Sequence, residues 1–226
     1  MNFRIHSLLY FATGIVFIAL ETAGAYYPGI AVKALIIPVL VWLYLRFIRG
    51  EWNRFHGMIL AALAFSWIGD VTLQLTRFSE DFFMVGLAGF LVAQLLYLVA
   101  FFSTPGQNVL SKRFYMVFPV LTYGAMILWL LWGGLKEMKL PVTLYTLVIL
   151  TMLTAAINRK GKVNPHSYRL VLAGAILFVL SDSMIAINKF NQPFELARVA
   201  IMTSYVTAQY LIAIGCLRQF NLTLKK

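Results

Sequence analysis

The sequence predicts an all-α integral membrane protein, a bundle of eight transmembrane helices, and three observations carry that expectation. Apolar residues make up 61% of the chain and charged residues 12%, whereas soluble domains carry about 45–50% and about 25%. Runs of about 20 apolar residues, the length a hydrocarbon core requires, recur along the whole chain. The Lys and Arg residues fall in the short connections between those runs. No stretch is left for a soluble unit of ordinary size, so residues 1–226 read as a single membrane domain.

The elements follow in order. A first helix is expected over 7–25: its apolar run, Leu8 to Leu20, follows a short basic start at Arg4 and precedes no small-residue cleavage site, so it reads as a retained span. Pro28-Gly29 supplies a turn before a second helix at 30–48, whose internal Pro38 is tolerable where neighbouring helices re-satisfy the backbone. The third and fourth helices, 57–76 and 82–102, flank a polar connection, and Pro105-Gly106 ends the pair. Gly133-Gly134 divides the fifth, 114–132, from the sixth, 139–157, with Pro119 and Pro141 near their starts. Asn164-Pro165 precedes the seventh, 168–188, and Pro193 precedes the eighth, 197–217.

A formal charge of +11 invites a nucleic-acid reading, but the placement of the cations speaks for topology instead. With the amino terminus in the cytoplasm, the inner connections hold Arg4, Arg46, Arg49, Arg54, Lys112, Arg113, Arg159, Lys160, Lys162, Arg169, Arg218, Lys225 and Lys226. The outer ones hold Lys33, Arg77, Lys136, Lys139, Lys189 and Arg198, accompanied by Glu21, Glu80, Asp81, Glu137 and Glu195. Both termini are therefore expected inside, and the membrane is expected to be a bacterial plasma membrane. Cys216 is the single cysteine, which excludes an intrachain disulfide.

An internal echo aligns SWIGDVTLQLTRF (66–78) with FVLSDSMIAINKF (178–190), each with a basic residue seven after Asp and Phe eight after it. Ala93-Gln94 and Ala208-Gln209 occupy matching places in the helices that follow. Helices 3 and 4 thus resemble 7 and 8 in the same orientation, the signature of a parallel four-helix duplication.

The echo centres on two intramembrane acids, Asp70 and Asp182, each ~20 Å from the inner end of its helix at 1.5 Å per residue. An ionised Asp at mid-membrane costs on the order of 2.5–3.5 kcal/mol and usually faces a cavity or a partner and has a function. The two are expected to face one shared interior. The structural alternative is that each hydrogen-bonds Ser66, Ser181 or Ser183 and ties helices together. Gln94 and Gln209 lie near mid-depth, Tyr97 and Tyr205 share helical faces with them, and Gln74 follows Asp70 by one turn. Interhelical amide bonds are ordinary glue in membranes, so these glutamines stand between helper and packing roles. Trp42, Trp129, Trp132 and Tyr26 read as interfacial anchors or packing residues. His6, His56 and His166 all fall at inner helix ends, so no metal ligand set is expected at the acids, and no cofactor motif is present.

The segments FSWIGDVTLQL with GLAGFLVAQLLYLVAF, and GAILFVLSDSMIAINKF with TSYVTAQYLI, resemble the signature stretches of the YhhN-like transmembrane lysoplasmalogenases. The resemblance covers helices 3, 4, 7 and 8. It implies hydrolysis of the vinyl-ether bond of a lysoplasmalogen or related lysophospholipid, releasing a fatty aldehyde and glycerophospho-choline or -ethanolamine. That chemistry asks for an acid and a base and no metal, and two carboxyls sharing a buried site can divide into one protonated and one ionised form. Asp70 and Asp182 are the catalytic candidates. Gln74, Gln94, Tyr97, Ser181, Tyr205, Gln209, Arg77 and Lys189 are the candidate substrate contacts, with Arg198 a further cation near the outer surface. The same acids and repeat would suit a proton-coupled transporter, and a lipid-binding scaffold without turnover is a third reading.

Overall fold

A computed structural model of the chain describes residues 3–48 and 52–219. The long helices are α1 (Phe3–Thr22), α2 (Tyr26–Ile48), α3 (Arg54–Leu75), α4 (Asp81–Phe102), α5 (Phe118–Leu131), α6 (Lys139–Ile157), α7 (Pro165–Phe190) and α8 (Ala197–Arg218). A short turn of helix at Val109–Lys112 and a 3-10 turn at Phe114–Val117 lead into α5, and a second 3-10 turn, Lys136–Met138, leads into α6. All eight spans are long and apolar enough to cross a membrane, as the sequence predicts. The topological assignments of Arg49, Lys225 and Lys226 lie outside the described residues, as does the side chain of Lys112.

One expected turn is misplaced. Pro28-Gly29 lies inside the first turn of α2, and the chain reverses instead at Ala23-Gly24-Ala25, where Gly24 takes φ +73°. Proline is at home in a first helical turn because its missing N–H has no intrahelical acceptor to lose. Helix starts elsewhere are set by side chains: Asn53 Oδ1 accepts from the His56 N–H at 3.1 Å, and Asn164 Oδ1 accepts from the Ser167 N–H at 2.8 Å.

Two helix pairs are drawn especially close by glycine. A Cβ on Gly89 of α4 would stand 3.0 Å from the Gly69 backbone nitrogen of α3, and one on Gly174 of α7 would stand 2.8 Å from the Ala208 carbonyl of α8. Such approaches bring backbones into van der Waals contact, which holds helices together where no hydrophobic effect operates between them. Across these pairs, α4 packs on α6 while α8 packs on α1 and α2. Ser7 and Tyr210 join hydroxyls at 2.7 Å, so the start of α1 and the end of α8 share one end of the bundle. Leu8, Ile15, Trp129 and Leu140 are exposed on its flanks, an apolar outer surface that suits lipid.

Replacing Gly174 with Val should lower stability by about 1–3 kcal/mol through overpacking. Gly133→Ala, at a position with open space around it, should change little. Thermal unfolding in detergent micelles checks both, and equal effects would contradict the packing described.

Candidate functional site

At 1.5 Å per residue, Asp70 stands ~24 Å along α3 from Arg54 and Asp182 ~26 Å along α7 from Pro165, so the two acids share a depth. The end they approach is the one where α1 turns into α2, α3 into α4 and α7 into α8.

Asp70 is 2% exposed and is answered from two sides. The Lys33 ammonium of α2 lies 3.5 Å from Oδ1. The Tyr205 hydroxyl of α8 donates to Oδ2 at 2.6 Å. Behind Tyr205 the donors run in one direction: Tyr97 donates to Gln209 Oε1 at 2.8 Å, and Gln209 Nε2 donates to the Tyr205 hydroxyl at 3.2 Å. Each link aims positive charge density toward the next, so the string favours a carboxylate at its end. Asp70 is held by an ammonium and a hydroxyl, both of which favour its charged form.

Asp182 has a different environment. The Tyr145 hydroxyl of α6 donates to its Oδ2, and the described residues supply it with no cation. The carboxyl lies in the wall of a narrow cavity of about 70 Å³ between α4, α5, α6 and α7, otherwise lined chiefly by apolar residues such as Leu87, Phe90, Ile127, Val142 and Ile149. That volume is well below the about 300–1,000 Å³ of a drug-sized ligand pocket. The buried amide of Gln94 approaches Tyr145 from α4, and neither of its polar atoms has a hydrogen bond of good geometry.

A second hollow, about 440 Å³, opens toward the end of the bundle and is lined by Glu21, Lys33, Gln74, Arg77, Asn188, Lys189 and Arg198 among others. The buried Glu21 accepts from Gln74 Nε2 at 2.6 Å and from Arg77 Nη2 at 2.6 Å, with Arg198 Nη1 at 3.7 Å. Arg77 also stacks over the Tyr26 ring at 4.0 Å, which gives that tyrosine a role beyond the interfacial anchoring expected of it. Lys189 pairs with Glu80 at 2.5 Å. Leu73, Phe83 and Ile185 line both hollows and form the wall between them.

The single shared chamber expected from sequence is instead two adjoining hollows, and Asp70 lines neither. Phe90 explains the division: its ring forms part of the apolar cavity and packs edge-on against Tyr205, the donor to Asp70, at 5.9 Å. Of the expected substrate contacts, Gln74, Arg77 and Lys189 line the polar hollow. Tyr97, Gln209 and Tyr205 instead support Asp70, and Ser181 spends its hydroxyl on the Ile201 carbonyl of α8 at 3.0 Å.

Three site residues escape the sequence reading. Lys33 and Glu21 are assigned there to outer connections, although Lys33 lies ~10 Å into α2 and a lone cation at that depth is itself a signal. Tyr145 carries no signal, being one of 11 tyrosines. His6 and His56 are buried toward the other end of the bundle, against Trp42 and Tyr44, and His166 meets Arg218 there. Among the described residues no three of His, Cys, Asp and Glu converge as a metal site would require.

The profile of the YhhN family matches residues 29–216. Lysoplasmalogenase TMEM86B of Sus scrofa is 34% identical over 187 residues, covering 83% of this chain and 74% of the relative. Its Homo sapiens counterpart is 31% identical over 182 residues, 80% of this chain and 73% of the relative. A lysoplasmalogenase of Mycobacterium tuberculosis is 31% identical over 166 residues, 72% of this chain and 61% of that protein. No solved structure matches the chain.

Removing Lys33 strands a buried carboxylate, a change that typically costs about 3–5 kcal/mol. Lys33→Met should therefore lower the melting temperature sharply, and the double variant Lys33→Met, Asp70→Asn should recover most of the loss. A double variant as unstable as the single one would show that the ion pair is not what Lys33 contributes.

Proposed function

The chain belongs to the YhhN family, and from that membership we propose that it hydrolyses the vinyl-ether bond of lysoplasmalogens within the membrane. The observation that carries the reading is the pair of adjoining hollows, one apolar with Asp182 in its wall and one rich in cations, separated by Leu73, Phe83 and Ile185. A single-chain phospholipid is divided in the same way. With the first carbons of its hydrocarbon tail in the first and its headgroup in the second, the bond joining them falls at the wall, beside Asp182.

Hydrolysis begins when a proton adds to the outer alkene carbon, leaving an oxocarbenium ion. Asp182 is the proton donor in this reading, because it lines the tail cavity and has a hydroxyl rather than a cation for company. Asp70 is the standing carboxylate whose charge favours the cation from behind the cavity wall, the kind of pre-arranged electrostatic support that contributes most to such reactions. Water from the polar hollow adds to the oxocarbenium carbon and its released proton returns to Asp182. The resulting hemiacetal then breaks its carbon–oxygen bond to give aldehyde and the free glycerol hydroxyl. Atoms balance with one water consumed. The division of labour resembles paired carboxylates in glycoside hydrolysis, by chemical analogy. Tyr145 orients the Asp182 carboxyl, and Lys33 with Tyr205 fixes Asp70. The charge asymmetry of the connections supports an orientation with the polar hollow facing away from the cytoplasm.

The proton-coupled transporter reading draws on the same buried acids. Movement of a solute across sealed vesicles, driven by a pH gradient and without chemical change, would select it over hydrolysis.

Aldehyde release from a vinyl-ether lysophosphocholine should fall by about 10²–10⁴ in Asp182→Asn, the usual contribution of a positioned proton donor. No aldehyde from the unaltered protein, or undiminished release from the variant, would end the proposal. In deuterated water the aldehyde should carry one solvent deuterium on the carbon beside the carbonyl. Mass spectrometry that finds none there would exclude protonation at carbon.

A further inference from the structure

The apolar cavity beside Asp182 is smaller than the hydrocarbon chain assigned to it, and its walls are braced. An apolar cavity of about 150 Å³ takes up a benzene ring; this one, of about 70 Å³, has room for only a few methylene groups. Phe90 forms part of the wall. Its ring lies so close to Gly69 that a Cβ there would stand 2.6 Å from it, and it packs edge-on against Phe178 at 6.2 Å and Tyr205 at 5.9 Å. Phe83, in the partition from the polar hollow, packs edge-on against Phe190 at 5.7 Å. Leu150 of α6 fills the notch left by Gly124 of α5, where an added Cβ would collide with Leu150 Cδ1, and both residues line the cavity.

We propose that this cavity reads the width of the chain beside the cleaved bond and not its length, with Phe90 and the Gly124–Leu150 contact as the specificity-determining features. The inference deepens the hydrolase reading and rests on it for the placement of the lipid. Close-packed walls yield poorly to an extra methyl group, and Phe90 has little room to turn aside, being packed against Gly69, Phe178 and Tyr205 at once. The remaining carbons of a long chain find no volume inside and stay among the bilayer tails. There each further methylene has the same apolar surroundings whether the lipid is bound or free, so it adds nothing to affinity.

The consequence is a selection by shape at one end of the chain. Straight-chain lysolipids of any length fit alike. A methyl branch close to the ether oxygen meets a braced wall, while the same branch at the far end of the chain lies outside the protein. One methylene of misfit in an apolar pocket discriminates by roughly 10–200-fold. Discrimination of this kind comes from rejecting the wrong ligand as much as from attracting the right one. Gly124 and Leu150 carry no group that could give or take a proton, so their part is specificity alone.

The test uses the intact chain in phosphatidylcholine vesicles and saturated alkyl-ether lysophosphocholines, which have the tail and headgroup but no vinyl ether to cleave. Displacement of a tritiated hexadecyl ligand is counted, and affinity is expressed per mole fraction of bilayer lipid, so that partition of each chain from water drops out. Dodecyl, hexadecyl and eicosyl chains should bind equally. A hexadecyl chain with a methyl group close to the ether oxygen should bind about tenfold more weakly than the straight chain, and one with the methyl group at its far end should bind as the straight chain does. Affinity that climbs with chain length, or equal binding of near-branched and straight chains, would overturn the assignment, and neither comparison needs a variant. Leu150→Ala should strengthen the near-branched ligand about tenfold relative to the straight one and leave the far-branched one unchanged. Gly124→Ala, which takes room from the same place, should weaken all straight chains by a common factor. A folded Leu150→Ala protein with the original ratio would also refute it. Since no turnover is measured, a protein that ranks these ligands as stated but releases no aldehyde would defeat the hydrolase reading alone, and aldehyde release without the width preference would defeat this inference alone.

Discussion

A carboxylate inside a bilayer must be compensated within the protein, and the contact between Lys33 and Asp70 is where this fold meets that demand. The ion pair joins α2 to α3, and the Tyr205 hydroxyl adds α8 to the same point. Three helices are thereby fixed at one depth by a single charged group. An isolated charge there would be driven to neutralise, and the helices around it would lose a reason for their register. The string from Tyr97 through Gln209 then ties α4 into the arrangement, so the fourth helix inherits its position from the same acid.

Asp182 shows the complementary solution. Among the described residues no cation pairs with it, and Tyr145 supplies a hydroxyl from α6. Each acid thus takes a partner from the helix that precedes its own in the chain, Lys33 from α2 and Tyr145 from α6, but the two partners differ in charge. The separation is enforced sterically by Phe90, which stands between the Asp70 support and the apolar cavity.

Much of this was readable from sequence because membrane insertion is a one-dimensional constraint. Eight apolar runs and two acids inside them need no knowledge of packing, and helix 6 begins and ends where expected, at 139 and 157. What sequence did not disclose depends on which way a side chain turns. Glu21 lies at the end of α1 and Lys33 close to the start expected for α2, where an outward-facing charge is ordinary; only the packing of α1 on α2 and α8, and of α2 on α3, turns them inward. Tyr145 is indistinguishable from an anchoring tyrosine until α6 is seen beside α7. Pro28-Gly29 misleads for a local reason, since the same dipeptide serves a turn or the first turn of a helix.

The wall formed by Leu73, Phe83 and Ile185 has a bearing on product release. It separates an apolar compartment from a polar one, so under the proposed reaction a lipid severed at that boundary would leave fragments with opposite solubilities on its two sides. The aliphatic fragment would dissolve in the surrounding lipid while the hydrophilic one diffused into bulk solution. Neither product would then linger to block the next turnover.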